Sequence, residues 1–181
     1  KAFQDRFYDE NGLMKADTQT AHVLALAFGL AGKEYEQKTI EGLEKLIGQW
    51  NGLSTGFLGT PHICHVLREY GRTDTAYRLL MKTDYPSWLY PVTKGATTVW
   101  EHWDSIRTDG SFWSDSMNSF NHYAYGCIGD WIYGTVLGID TADSGPGFKE
   151  SVVAPIPGGG ITWARGGCHT PYGLLEVSWK D

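Results

Sequence analysis

Apolar residues recur at helical spacing along most of the chain and switch to strand-like alternation toward its end. From Asp17 to Ala31 nearly every position after the first turn is apolar, including Ala21, Val23, Leu24, Leu26, Ala27, Phe28 and Leu30. A helix apolar on most sides is buried on most sides, and Gly32 suits its stop. Glu34 to Gly48 predicts an amphipathic helix with Ile40, Leu43 and Ile47 on one face. Thr60-Pro61 combines an N-cap with a proline at the first helical position. The helix it opens carries Ile63, Val66, Leu67 and Tyr70 and stops at Gly71. Thr73 caps a shorter helix through Ala76, Leu79 and Leu80, bounded by Tyr85-Pro86. Pro86 to about Met117 is loop-rich. Asn118 to Ile139 then shows a helical stripe of Phe120, Ala124, Cys127, Ile128, Trp131, Ile132 and Thr135, with Asn118 suited to its N-cap.

Thr141-Ala-Asp-Ser-Gly-Pro-Gly147 has the composition of a linker. Strand-like segments follow at Phe148–Ala154, Ile161–Cys168 and Leu174–Trp179. The last two flank Thr170-Pro-Tyr-Gly173, a β-turn with proline at its second position. Trp163 and Trp179 should pack in this region, and Trp131 in the helical core. Helices first and strands last read as two domains. The helical pattern alone fits a bundle, a solenoid or a toroid. No internal period supports a consensus repeat array.

Composition narrows the function. The 181 residues carry a net charge of −6 and no basic run, which argues against nucleic acid as a partner. No apolar run reaches the roughly 18 residues of a membrane span. The three cysteines, Cys64, Cys127 and Cys168, form no C-x-x-C pair and suggest no disulfide framework. Cys64 and Cys127 read as small buried hydrophobes. His62 and His65 are spaced to share a metal ion, but no third ligand is suitably placed, so no metal is expected. The expected compartment stays open: a soluble protein, cytoplasmic or periplasmic/secreted. Aromatic residues make up 14% of the chain, and Trp88, Trp100, Trp103 and Trp113 crowd one loop-rich segment. Core packing alone does not account for aromatic enrichment in loops.

The densest chemistry lies in Gly95-Ala-Thr-Thr-Val-Trp-Glu-His-Trp-Asp104, where Glu101 stands between Trp100 and Trp103. Asn118-Ser-Phe-Asn-His-Tyr-Ala-Tyr-Gly126 follows. Indole faces cover the apolar faces of a sugar ring while a few polar groups fix its hydroxyls. A carboxylate beside apolar rings is a stronger base than one in open water. A solvated loop carboxylate paired with Arg107 or Lys94 is the plainer alternative for Glu101.

These two segments, with Ser54-Thr-Gly-Phe-Leu-Gly-Thr-Pro61, resemble the bacterial α-L-rhamnosidases of glycoside hydrolase family 78. The resemblance extends through Pro155-Ile-Pro-Gly-Gly-Gly-Ile-Thr-Trp-Ala-Arg165 and Thr170-Pro-Tyr-Gly173. It implies a mainly α fold: a partial (α/α)₆ toroid of the six-hairpin glycosidase type, then the start of a C-terminal β-sandwich. The implied division is residues 1–140 for the toroid part, 141–147 for a linker and 148–181 for the sandwich part. It further implies that Glu101 is the general base of an inverting hydrolase that releases terminal α-L-rhamnose from glycosides or polysaccharides, a chemistry that needs no cofactor. His122 falls on a sugar-binding histidine; Asn121 is a further candidate contact, and Trp103, Trp100 and Trp88 are candidate substrate contacts as site walls, or else core. Asn121 is the weaker of the polar contacts, and Trp103 the best candidate for a pocket wall.

The family's general acid has no counterpart here. Asp104, Asp109, Asp115 and Asp130 qualify by residue type only. The chain therefore reads as part of a larger catalytic unit, inactive alone and prone to self-association through uncovered faces. Another toroidal glycosidase and a non-catalytic carbohydrate-binding protein are the competing readings.

Overall fold

Six helices follow one another in the computed structural model, which describes residues 1–181. They are α1 (Ala2–Phe7), α2 (Gln19–Ala27), α3 (Glu36–Trp50), α4 (Thr60–Glu69), α5 (Thr73–Met81) and α6 (Leu89–Thr93). All belong to the first of two compact units, Lys1–Cys127 and Ile128–Asp181. Helix α2 packs on α3 and α4, and α4 on α5. Val23, Ile40, Leu43, Ile63, Leu67 and Ala76, one or two from each of these helices, lose all solvent contact in the shared core.

The helix ends have local causes. Thr18 caps α2 by accepting the Ala21 N–H at 3.2 Å, which satisfies one of the open amides of the first turn. The helix ends well before Gly32. Gly29 takes φ +62°, and the Leu30 and Ala31 amides both turn back to the Ala25 carbonyl at 2.8 and 3.2 Å. Phe28 and Leu30 consequently lie outside the helix and are exposed, so burial falls on His22, Val23, Ala25 and Leu26 rather than on most of its sides. Helix α3 closes at Asn51, which adopts the left-handed conformation. Helix α4 begins at Thr60, one residue after its cap, Gly59. A Cβ at Gly59 would lie 2.8 Å from the Thr20 hydroxyl, so glycine permits the close approach of α4 to α2. Thr60 itself donates back to the Gly56 carbonyl at 2.8 Å.

The long helix expected from Asn118 starts later. Residues 118–123 are irregular, and the helical run comprises a 3₁₀ turn (Ala124–Cys127), α7 (Ile128–Trp131) and a π-helical end (Ile132–Leu137). The displaced residues have committed their backbone elsewhere, to the segment carrying Glu101. Gly138, at φ +80°, ends the run.

In the second unit, β1 (Ile139–Thr141) pairs antiparallel with β2 (Ser151–Val153). The segment read as a linker therefore closes this pair, with the Ala142 amide donating to the Glu150 carbonyl at 2.9 Å. The strand expected at Phe148–Ala154 shortens accordingly. β3 (Trp163–Thr170) and β4 (Gly173–Lys180) form a hairpin in which Thr170 pairs with Gly173 across Pro171-Tyr172. The Thr170 hydroxyl holds the turn by donating to the Gly173 carbonyl at 2.9 Å and accepting the Tyr172 amide at 3.1 Å. Trp179 is half-buried and donates its indole N–H to the Val136 carbonyl at 2.8 Å. Trp163, expected to pack, is 65% exposed, since alternation turns it away from Trp179's face. Trp131 is buried, as its stripe predicts. No helix of the chain is long and apolar enough to cross a membrane.

Candidate active site

The loops that carry the candidate chemistry are tied to the helical core by a buried side chain. Gln19, at the start of α2, is 1% exposed. Its amide donates to the Gly52 carbonyl and accepts the Ser54 N–H, both at 2.8 Å. This fixes the entry to Ser54–Pro61, where the Thr55 and Thr60 hydroxyls meet at 2.8 Å. The Thr55 carbonyl then accepts the Trp103 indole N–H at 3.4 Å. Thus α2 orients, through two loops, the tryptophan two residues beyond Glu101.

Glu101 sits where the two motif segments run side by side. Its amide donates to the Ser119 carbonyl at 2.9 Å, and the His122 amide donates to the Val99 carbonyl at 2.8 Å. The Thr98 hydroxyl reaches the Phe120 carbonyl as well. The Ser119 amide returns to Glu101 Oε2 at 2.8 Å. One carboxylate oxygen is thereby fixed by the backbone, while Oε1 accepts no hydrogen bond from the chain. The side chain is half-buried. A carboxylate oriented through one oxygen and open at the other can take a proton from a molecule placed against it.

Behind this segment lies an aromatic core. Trp103 stacks on Tyr125 with ring centres 3.8 Å apart and planes 12° from parallel, and Trp88 meets Trp103 edge-on at 5.5 Å. The Trp88 indole N–H donates to the Tyr125 carbonyl at 2.9 Å. Trp100 packs edge-on against Phe120 at 5.3 Å. Burial, then the neighbouring Cys127 and Tyr85, pushes the Tyr125 phenol up to about 12, so it stays neutral in the stack. Burial likewise raises the Cys64 thiol well above its usual range, with Cys127 adding to the shift, which makes it an inert core residue. The three cysteines form no disulfide.

After Glu101 the chain turns through His102–Ser105. Ser105 is fully buried; its hydroxyl accepts the His102 amide at 3.3 Å and donates to the His102 carbonyl at 3.2 Å. The Ser105 carbonyl accepts the Trp113 amide at 3.1 Å and the Asn118 side-chain amide at 2.9 Å. Asn118 is therefore a brace between loops and not a helix cap. His102 stacks on Trp113 at 3.6 Å. Two buried polar atoms here, His102 Nε2 and Asn118 Oδ1, have no hydrogen-bond partner in the chain.

Beside this knot opens a cavity of about 930 Å³ whose walls include Phe57, Thr98, Val99, Asn121, His122 and Tyr123. Of the residues expected at the site, it gathers His122 and Asn121. Glu101 adjoins them through the backbone pairing and lies outside its lining. Trp103 and Trp100 are 9% and 5% exposed, so they pack as interior groups and do not face open space as pocket walls. Trp88 is half-buried against Trp103. Tyr125 lies against one face of Trp103, and Trp88 and Phe120 meet Trp103 and Trp100 edge-on, which accounts for their burial.

Phe57 is a cavity residue that sequence reasoning misses. It stacks on His122 with centres 4.8 Å apart and planes 12° from parallel. Its only sequence signal is membership of the Ser54–Pro61 motif. No group of three or more His, Cys, Asp and Glu side chains is placed to hold a metal ion. His62 instead meets Phe28 edge-on at 5.4 Å. A second cavity, of about 580 Å³ and lined by Glu44, Asn51, Arg78 and Lys82, contains none of the expected site residues.

Helical hairpins that support carboxylate-bearing, aromatic loops are followed by a second unit of antiparallel strands, an order that the matching domain families share. Residues 1–136 match the bacterial α-L-rhamnosidase six-hairpin glycosidase domain, and residues 138–181 match the bacterial α-L-rhamnosidase C-terminal domain. The chain belongs to the bacterial α-L-rhamnosidase family.

An α-L-rhamnosidase of Streptomyces avermitilis is 45% identical over 100% of this chain and 18% of its own length. One from Formosa agariphila is 44% identical over 99% of this chain and 19% of its own. The chain thus spans less than a fifth of the length of these relatives. Among solved structures, the Streptomyces avermitilis enzyme complexed with L-rhamnose superposes with a TM-score of 0.95 at 44% identity, covering 99% of this chain and 17% of that one. The Aspergillus terreus α-L-rhamnosidase superposes with a TM-score of 0.93 at 38% identity, covering 99% and 21%.

Proposed function

We propose that this chain supplies the general base and part of the sugar pocket of an inverting α-L-rhamnosidase. Residues 1–140 would form part of an (α/α)₆ toroid, and residues 148–181 the start of a C-terminal β-sandwich. The single observation that carries the reading is the setting of Glu101: Oε2 is held by the Ser119 amide and Oε1 is left open. In the proposed reaction a water loses a proton to Glu101 as its oxygen attacks the anomeric carbon. The glycosidic bond breaks, and a second carboxyl protonates the leaving oxygen. In inverting enzymes the two carboxyls stand about 6.5–9.5 Å apart, leaving room for that water. No motif in this chain marks the second carboxyl.

His122 and Asn121, in the cavity wall, would bind rhamnose hydroxyls. Trp103, Trp100 and Trp88 would act from behind, by keeping the Glu101 segment in place. The relatives' activity and the L-rhamnose complex of the Streptomyces avermitilis enzyme support this substrate class. The test uses an enzyme of the relatives' length that carries these residues. It should release L-rhamnose from an aryl α-L-rhamnoside, and proton NMR should show the β-anomer forming first. First formation of the α-anomer would overturn the inverting assignment, and no release would overturn the activity.

A further inference from the structure

His122 is held in a way that the proposed contact with a sugar does not by itself explain. Its ring is nearly parallel to two aromatic rings: Phe57 at 4.8 Å and 12°, and Tyr123 at 5.7 Å and 10°. Around its edge, Nδ1 accepts the Ala124 amide N–H at 3.4 Å. A backbone amide can only donate, so Nδ1 must carry the lone pair, and the proton of the neutral ring sits on Nε2. Stacking fixes the ring plane and the Ala124 amide fixes the ring's rotation and tautomer. Nε2–H is left as the donor, in a side chain that lines the cavity.

The two fixing groups differ in origin. The Ala124 amide comes from His122's own turn, so it survives most sequence changes. Phe57 comes from the Ser54–Pro61 loop, far away in sequence and anchored through Gln19 to α2. Phe57 is 42% exposed, and only part of its ring is engaged, with His122 and with Tyr125 at 5.1 Å. A large half-exposed phenylalanine held across a histidine serves orientation more than core burial.

We infer that Phe57 is a positioning residue: by stacking on His122 it presents Nε2–H as a preset hydrogen-bond donor to an acceptor oxygen of the sugar. This deepens the proposed rhamnosidase reading and rests on it. Preorganisation of a donor acts on binding by removing the ordering that the ligand would otherwise impose. An aromatic pair contributes enough beyond burial that its loss should weaken binding about tenfold.

The test measures L-rhamnose binding by calorimetry, which needs no catalytic turnover, in the protein at the relatives' length. Phe57→Leu keeps bulk but removes the ring face and should weaken binding about tenfold. Phe57→Tyr keeps the face and should bind within about twofold of wild type. In a His122→Ala background, Phe57→Leu should add little, because its effect passes through the histidine. An equal loss in both backgrounds overturns the role, since Phe57 would then contact the sugar directly. A loss for Phe57→Tyr as large as for Phe57→Leu overturns it too. Wild-type protein that does not bind L-rhamnose would overturn the substrate reading, and this inference with it; the other two outcomes leave the substrate reading intact.

Discussion

Two parts of the first unit are held together by different physics. From Gln19 to Met81, helices α2 to α5 share an aliphatic core whose members recur at helical spacing, and their backbone polar groups are satisfied within each helix. From Trp88 to Ala124 there is almost no regular structure. There, rings stack on rings, and backbone groups are satisfied across loops by Ser105, Asn118, Ser119 and Glu101. The first arrangement tolerates changes that keep volume and pattern. The second depends on individual hydrogen bonds between residues far apart in sequence, and it holds the candidate chemistry. A rigid helical base with chemistry on loops is a common division of labour.

Activity and stability should separate across this divide. Glu101→Gln keeps an acceptor for the Ser119 amide but removes the proton acceptor. In an enzyme of the relatives' length it should lower turnover of an aryl rhamnoside by roughly 10²–10⁴. The melting temperature should move little. Near-wild-type turnover would remove Glu101 from the role of base. Leu43→Ala should behave in the opposite way. Leu43 has no solvent exposure, so the change should destabilise by about 2–5 kcal/mol through lost burial and a cavity. The Michaelis constant of the remaining folded enzyme should stay unchanged. Denaturant titration beside steady-state kinetics reads both, and a stability change under about 1 kcal/mol would show that the core repacks around the gap.

The same contrast explains what the sequence disclosed. The faces of α3, α4 and α5 were legible because a period of 3.6 is a local property, and Ile40, Leu43, Ile63 and Leu67 are buried where the pattern puts them. The hairpin turn at Thr170–Gly173 was legible for the same reason. The start of the last helical run was not. Its stripe began at Phe120, but the amides of Ser119 and His122 pair with residues about twenty positions upstream, and no local pattern records that. Glu101 stood out because its flanking indoles adjoin it in sequence. The burial of those indoles was hidden because the rings that cover them, Tyr125 and Phe120, come from another segment. Phe57 met the same obstacle, since its partner His122 is remote in the chain.

Ser105 offers a smaller perturbation of the loop side. Ser105→Ala removes the hydroxyl that links to both the amide and the carbonyl of His102. Leaving two buried backbone groups with one partner fewer should destabilise by about 1–2 kcal/mol. Because the turn begins just after Glu101, the rate constant should fall with the stability, a pairing that Leu43→Ala lacks. Unchanged kinetics in a destabilised Ser105→Ala enzyme would show that the turn does not transmit to Glu101.

The remaining effect belongs to the helical side and appears as a pH dependence. His22 in α2 is 4% exposed, with Nδ1 2.9 Å from the Thr18 carbonyl. Its Nε2 faces Gly42 of α3 so closely that a Cβ there would lie 2.7 Å away. Burial holds its pKa below the usual value, outweighing the opposing effects of the Thr18 carbonyl and Asp17. An unfolded histidine takes up a proton as the pH falls through about 6.5. The folded one does so only at lower pH. Between these points the unfolded state binds more protons, so stability decreases as the pH is lowered and is fully present above the unfolded value. The loss should set in as the pH falls through about 6.5. His22→Gln cannot titrate. Whatever its own stability, its melting temperature should fall less steeply below that pH than the melting temperature of the wild type. Equal slopes would mean that His22 is protonated in the folded helix, and that α2 and α3 leave room for the charge.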